Sequence, residues 1–131
     1  MALFRLAIIS TALCLSACSS TPSSRTDDLF INNQSLCPLS LKQGQVLTVS
    51  LSSNPSTGYR WMIDEAVGNH LKLLGNEVFS ATQAHALVGS DGLSTWRFSA
   101  QSQGQGYLSM RYQRPWETEP AEHFECSINI Q

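Results

Sequence analysis

Three histidines, His70, His85 and His123, and a scatter of serines are the side chains of this 131-residue chain that could do metal, acid–base or nucleophilic chemistry. None of them sits in the pattern such chemistry needs. A helical metal site places two histidines one turn apart, and a serine elbow reads Gly-x-Ser-x-Gly; neither spacing occurs. Order alone does not identify a Ser/His/Asp triad. Gln103-Gly104-Gln105-Gly106 lacks the strand-then-helix context of a phosphate loop and reads as a turn before a strand at Tyr107. Glu117, Glu119, Glu122 and Glu125 read as a solvated acidic rim. The expectation is a protein that is not an enzyme, with no catalytic residue, cofactor or metal.

The most distinctive segment carries no reactive group. Asn54-Pro55-Ser56-Thr57-Gly58-Tyr59 lies between two strand-like runs. Proline fixes its own φ and pushes Asn54 toward extended geometry, while Gly58 can take a positive φ, so the loop bends sharply with few conformers. By itself it is equally a stiff wedge and an ordinary turn between strands.

The chain's first residues bear on export rather than fold. Arg5, an apolar run from Leu6 to Leu15 and the ending Leu15-Ser16-Ala17-Cys18 make a leader of signal-peptide length, too short for a membrane span. Its end resembles the lipobox of bacterial lipoproteins, which implies cleavage after residue 17 and lipid on Cys18. Ser19 resembles the outer-membrane address of Gram-negative lipoproteins. The expected location is therefore the cell envelope, with a lipid anchor in a membrane. Residues 18–28 are polar and read as a tether, followed by one domain over 29–131. Loss of Arg5 leaves seven Lys and Arg against ten Asp and Glu, a formal charge of 7 − 10 = −3. With that balance and no basic stripe, nucleic acid is not an expected partner.

Of four cysteines, Cys14 leaves with the leader and Cys18 carries lipid, so Cys37 and Cys126 remain in an oxidising compartment. Cys37 alternates in phase with Leu39 and Leu41, and Cys126 with Phe124, Ile128 and Ile130. Both point inward from opposite ends of the domain, and a Cys37–Cys126 bridge is expected.

These elements must position the stiff loop. Leu47, Val49 and Leu51 share a face, as do Tyr59, Trp61 and Ile63, then Trp96 and Phe98, then Leu108, Met110 and Tyr112. A period of two repeated this often predicts an all-β immunoglobulin-like β-sandwich of about seven to eight strands, with a small closed barrel as the alternative. Leu71 to Phe79 reads as one further strand. In a sandwich, alternate connections gather at one end. The Asn54 loop would then meet Gly89-Ser90-Asp91-Gly92 and Arg114-Pro115-Trp116. Arginine and tryptophan are favoured interface anchors, and Pro115 stiffens the segment that carries them.

Together these three segments resemble the chagasin-like inhibitors of papain-family cysteine proteases, in order and spacing, from about Leu41 to the C terminus. The resemblance implies an immunoglobulin-like monomer whose loops straddle a protease active-site cleft. Asn54, Pro55, Ser56, Thr57, Gly58 and Tyr59 would approach the catalytic cysteine with Thr57 central. Gly89, Ser90, Asp91 and Gly92 would touch one wall, and Arg114 and Trp116, joined by Pro115, the other. Ser90 and Asp91 depart from a family loop usually richer in glycine, and Ser56 replaces a common threonine. The implied mechanism is reversible occlusion by a loop that offers no scissile bond in attack geometry. A structural or adhesive envelope lipoprotein is the alternative, and it leaves the match of three loops without a reason.

Overall fold

The structure, a computed structural model, describes residues 28–82 and 89–131. The leader, Cys18, the tether through residue 27 and His85 lie outside the described residues. The described strands are β1 Leu29–Ile31, β2 Leu39–Leu41, β3 Val46–Ser53, β4 Arg60–Ala66, β5 Leu71–Leu73, β6 Val78–Ala81, β7 Gly92–Ala100, β8 Gly104–Gln113 and β9 Glu122–Ile130. They form two sheets. In one, β3 lies between β1 and β7, and both β5 and β6 pair with the far side of β7. The other has the order β2-β9-β8-β4.

Alternation dictates what the sheets bury. Leu47, Val49 and Leu51 of β3 lie beside Phe98, Trp96 and Ser94 of β7, all buried. Across the core, Leu108, Met110 and Tyr112 of β8 lie beside Cys126, Phe124 and Glu122 of β9, with all but Glu122 buried. Each fully buried leucine or isoleucine contributes about 1.5–3 kcal/mol of transfer free energy. Trp61 is buried with them, and its indole N–H donates to Ser52 O at 2.9 Å, which satisfies the one polar atom of that ring.

Cys37 and Cys126 are joined, with their Cα atoms 5.4 Å apart. Their pairing follows from the parallel register of β2 on β9, where Leu39 faces Ile128. Each cysteine lies two residues before its member of that pair, so both side chains project to the same inner face. Cys37 itself caps a short 3-10 turn, Gln34–Leu36, rather than lying in a strand.

Two expectations change. Leu71–Phe79 is not one strand but all of β5 and the start of β6: Leu74 N–H makes the last bond of the β5 edge, to Arg97 O of β7 at 2.7 Å, and Gly75 then turns the chain with φ +81°. That split helps bring the strand count to nine. Gly104 and Gly106 lie inside β8, not in a turn before it. A Cβ on Gly104 would come 2.5 Å from the His70 ring, and one on Gly106 3.2 Å from Val67, so the glycines let the Val67–His70 turn lie against the strand. His70 also bonds Ser102 Oγ at 2.7 Å, a packing role rather than a ligand's.

Register fixes which connections share a pole. Ser53 pairs with Gly92, and Arg60 with Gln113. The β3–β4 connection therefore crosses from one sheet to the other at the same end where the chain enters β7 and leaves β8.

Candidate functional site

The Asn54 loop folds as a single 3-10 turn, Pro55–Thr57, and each feature of its sequence has a bond to match. Pro55 occupies the first turn position, where a missing N–H costs nothing. Asn54 Oδ1 accepts from Ser56 N–H at 3.2 Å and from the Ser56 hydroxyl, capping the start. Thr57 closes onto Asn54 O twice, through its N–H at 3.2 Å and its hydroxyl at 2.7 Å. Gly58 ends the turn with φ +85°, its N–H bonded to Pro55 O at 3.2 Å. A β-branched residue there would be strained before it touched anything.

The other two loops are tied to this turn. Asn54 Nδ2 donates to Gly89 O at 3.1 Å and to Asp91 Oδ1 at 2.8 Å, fixing the second loop to the first. Gly92, expected with that loop, is buried at the start of β7, where a Cβ would come 2.4 Å from Ser80 O. Gly89, Ser90 and Asp91 are left as that loop's outward part. Arg114 Nε donates to Thr57 O at 2.9 Å, and its guanidinium lies 4.3 Å from the centre of the Tyr59 ring. Glu117 Oε1, 3.2 Å away, holds the same guanidinium from within its own loop. Trp116 leans on Gly58, where an added Cβ would sit 2.4 Å from its Cη2, yet 69% of the residue stays exposed. The structure thus brings all three segments into one edge.

An aromatic column supports the edge from below. Tyr59 stacks on Tyr112 at 5.1 Å, and Tyr112 meets Trp61 at 5.0 Å, so the arginine-capped stack runs from loop to core. The Tyr112 hydroxyl accepts Asn54 N–H at 2.9 Å. Sequence alone marks Tyr112 as inward-facing but cannot show where its hydroxyl ends. Arg60 was also missed: its Nη1 donates to Pro55 O and Tyr59 O, both at 2.8 Å. Tyr112→Phe is expected to leave the packing in place and lower stability by about 1 kcal/mol, the usual cost of a lost hydrogen bond. A denaturant titration superimposable on the parent's would show that the hydroxyl does not hold the loop.

What the edge can do follows from its chemistry. Its polar atoms are engaged with one another, and its outward surface is the 3-10 turn, the short second loop and one large aromatic. Such a surface is built to fit a concave partner with little loss of conformational entropy, and it holds no nucleophile–base pair among the described residues. Fold and edge together define a class, a disulfide-linked immunoglobulin-like sandwich that presents three fused loops at one pole. The model of the family described as Chagasin family peptidase inhibitor I42 matches residues 40–128, and the chain belongs to that family. It is an inhibitor-family protein and not an enzyme.

Among similar proteins, Amoebiasin-1 of Entamoeba histolytica is 27% identical over 96 residues, covering 71% of this chain and 89% of that protein. The crystal structure of a cysteine protease inhibitor from Entamoeba histolytica superposes with a TM-score of 0.67 at 22% identity, covering 79% of this chain and 95% of the other. PbICP-C, solved in complex with falcipain-2, gives 0.50 at 23% identity over 83% of this chain and 93% of that one. The structural likenesses establish the immunoglobulin-like fold.

Proposed function

We propose that this chain is a reversible, tight-binding inhibitor of papain-family cysteine proteases that sets its three-loop edge into the active-site cleft. The observation that carries the reading is the bonding of Asn54, Gly89, Asp91 and Arg114 into one rigid edge in a chain of the chagasin family. Rigidity matters because each loop ordered beforehand removes part of the entropy cost of docking. An interface of ordinary size, about 1,600 Å² in total, then suffices for tight binding by one inhibitor per protease. Thr57 at the apex approaches the nucleophile, the second loop meets one wall, and Trp116 meets the other.

The chain acts in the cell envelope, held by lipid on Cys18 in the outer membrane of a Gram-negative cell. One feature supports that setting. β1 is parallel to β3 and begins opposite Leu47, at the far end of β3 from Ser53. A tether joined at Leu29 therefore meets the domain at the pole opposite the three-loop edge and leaves that edge free to dock.

Titration of papain with the soluble domain from Thr26 onward is expected to abolish activity at a one-to-one ratio. Trp116→Ala is expected to raise the inhibition constant by roughly 30- to 100-fold, since burial of a large exposed aromatic is worth a few kcal/mol. Undiminished papain activity at micromolar domain would refute the inhibitor reading.

A further inference from the structure

The peptide bond between Thr57 and Gly58 is held by its own domain at both polar atoms. Thr57 O accepts from Arg114 Nε at 2.9 Å, and Gly58 N–H donates to Pro55 O at 3.2 Å. Trp116 covers the glycine that would become the leaving group. Arg114 is not free to swing away, because Glu117 holds its Nη1 and the Tyr59 ring lies under its guanidinium. The side chain that sequence marks as a contact for the protease is therefore spent largely on the inhibitor's own loop.

We propose that Arg114 is a positioning residue that keeps the Thr57–Gly58 bond from becoming a substrate of the protease whose cleft the loop fills. The inference rests on the inhibitor reading above. For cleavage, the protease thiolate must add to the Thr57 carbonyl carbon while the oxygen turns into the donors of the oxyanion hole. The C–N bond to Gly58 then breaks, the protease imidazolium gives its proton to the Gly58 nitrogen, and water hydrolyses the thioester to leave a Thr57 carboxylate and the free thiol. While Thr57 O is bonded to Arg114 it is unavailable to the oxyanion donors. While Gly58 N–H is bonded to Pro55 O and pressed by Trp116, the leaving amine stays beside the acyl carbon. The Gly58 N–H bond to Pro55 O sets the plane of this peptide, and Arg114 holds its carbonyl oxygen from the opposite side, so that turning it toward other donors breaks a bond to a charged group.

The test incubates the parent chain, Arg114→Ala and Arg114→Lys with stoichiometric papain and follows both residual protease activity and chain mass over hours. Folding of each variant is checked by thermal melting. The parent is expected to inhibit throughout and remain intact. Arg114→Ala is expected to inhibit at first and then release activity as two fragments appear, split between Thr57 and Gly58. Its cleavage should be at least about tenfold faster than the parent's, the factor set by loss of one hydrogen bond to a charged group. Arg114→Lys keeps the charge but not the planar Nε donor, and it is expected to be cut at the same bond; it also carries the test if the alanine variant does not fold. Variants that stay intact and inhibiting would overturn the role of Arg114, as would variants that lose inhibition without being cut at raised protease concentration. A parent that fails to inhibit removes the inhibitor reading itself, a result distinct from either.

Discussion

Gly58→Val is expected to raise the inhibition constant against papain by about a hundredfold or more while lowering the thermal midpoint by about 5–15 °C. Two separate effects combine at this position. The backbone sits at φ +85°, a left-handed conformation that costs an L-residue roughly 1–2 kcal/mol and a β-branched one more. The side chain would also meet Trp116, whose Cη2 lies 2.4 Å from the ideal Cβ position and cannot stay where it is. Relief of either strain moves the apex of the first loop or the indole of the third. Both are on the surface proposed to enter the cleft. The core beneath is untouched, because Gly58 and Trp116 lie outside the buried cluster, and so the loss should fall on binding far more than on folding. Inhibition constants measured beside melting curves decide it; a valine variant that inhibits like the parent would show that the edge tolerates reshaping.

Removal of the disulfide should do the reverse. Cys37 and Cys126 are 89 residues apart, and the loop-entropy model assigns a closure of that length ~4–5 kcal/mol. A domain of this size has a total stability of about 5–15 kcal/mol, and each kcal/mol moves its midpoint by about 4–8 °C. The double variant Cys37→Ala, Cys126→Ala is thus expected to melt at least about 15 °C below the parent, as is the parent with its bridge reduced. Below its melting range it should inhibit normally. The bridge lies where β2 begins its pairing with β9, and among the described residues no bond of the three-loop edge involves either cysteine. Calorimetry with and without reductant tests this directly. An unchanged midpoint would place the stability elsewhere in the core.

Much of the fold was legible because burial leaves a period of two in a strand. Leu47, Val49 and Leu51, and likewise Leu108, Met110 and Tyr112, alternate without interruption and face the core as their phase requires. The cysteine pair was legible from the phase each shares with the strand beside it, although Cys37 itself caps a turn two residues before β2. Where the signal failed, packing from elsewhere had overridden local preference. Gly104 and Gly106 look like turn residues, yet they pair with Ile130 and Ile128 of β9, and His70 and Val67 lying over them leave no room for a Cβ. Leu71, Leu73 and Leu74 carry enough apolar character for one strand and pair along β7 as far as Leu74, but Gly75 then turns the chain before β6 begins.

The sequence by itself determined the shape of the central turn. Asn54, Pro55 and Gly58 each act within a few residues of themselves, as a cap, a fixed φ and a left-handed stop, so their effects are local and readable. It also determined that Arg114 and Trp116 stand close together on a proline-stiffened segment. Only the tertiary structure decided what those residues touch. The bond from Arg114 to Thr57 spans 57 positions and the bond from Asn54 to Asp91 spans 37, and both depend on the register that sets Arg60 opposite Gln113 and Ser53 opposite Gly92. A side chain's partner across such a distance is fixed by how the sheets align, and no local pattern of residues encodes that alignment. Two stiff segments and their meeting with the glycine loop at one end of a sandwich were readable in the chain; the bonds that fuse them, with an arginine turned back on its own domain, belong to the folded protein.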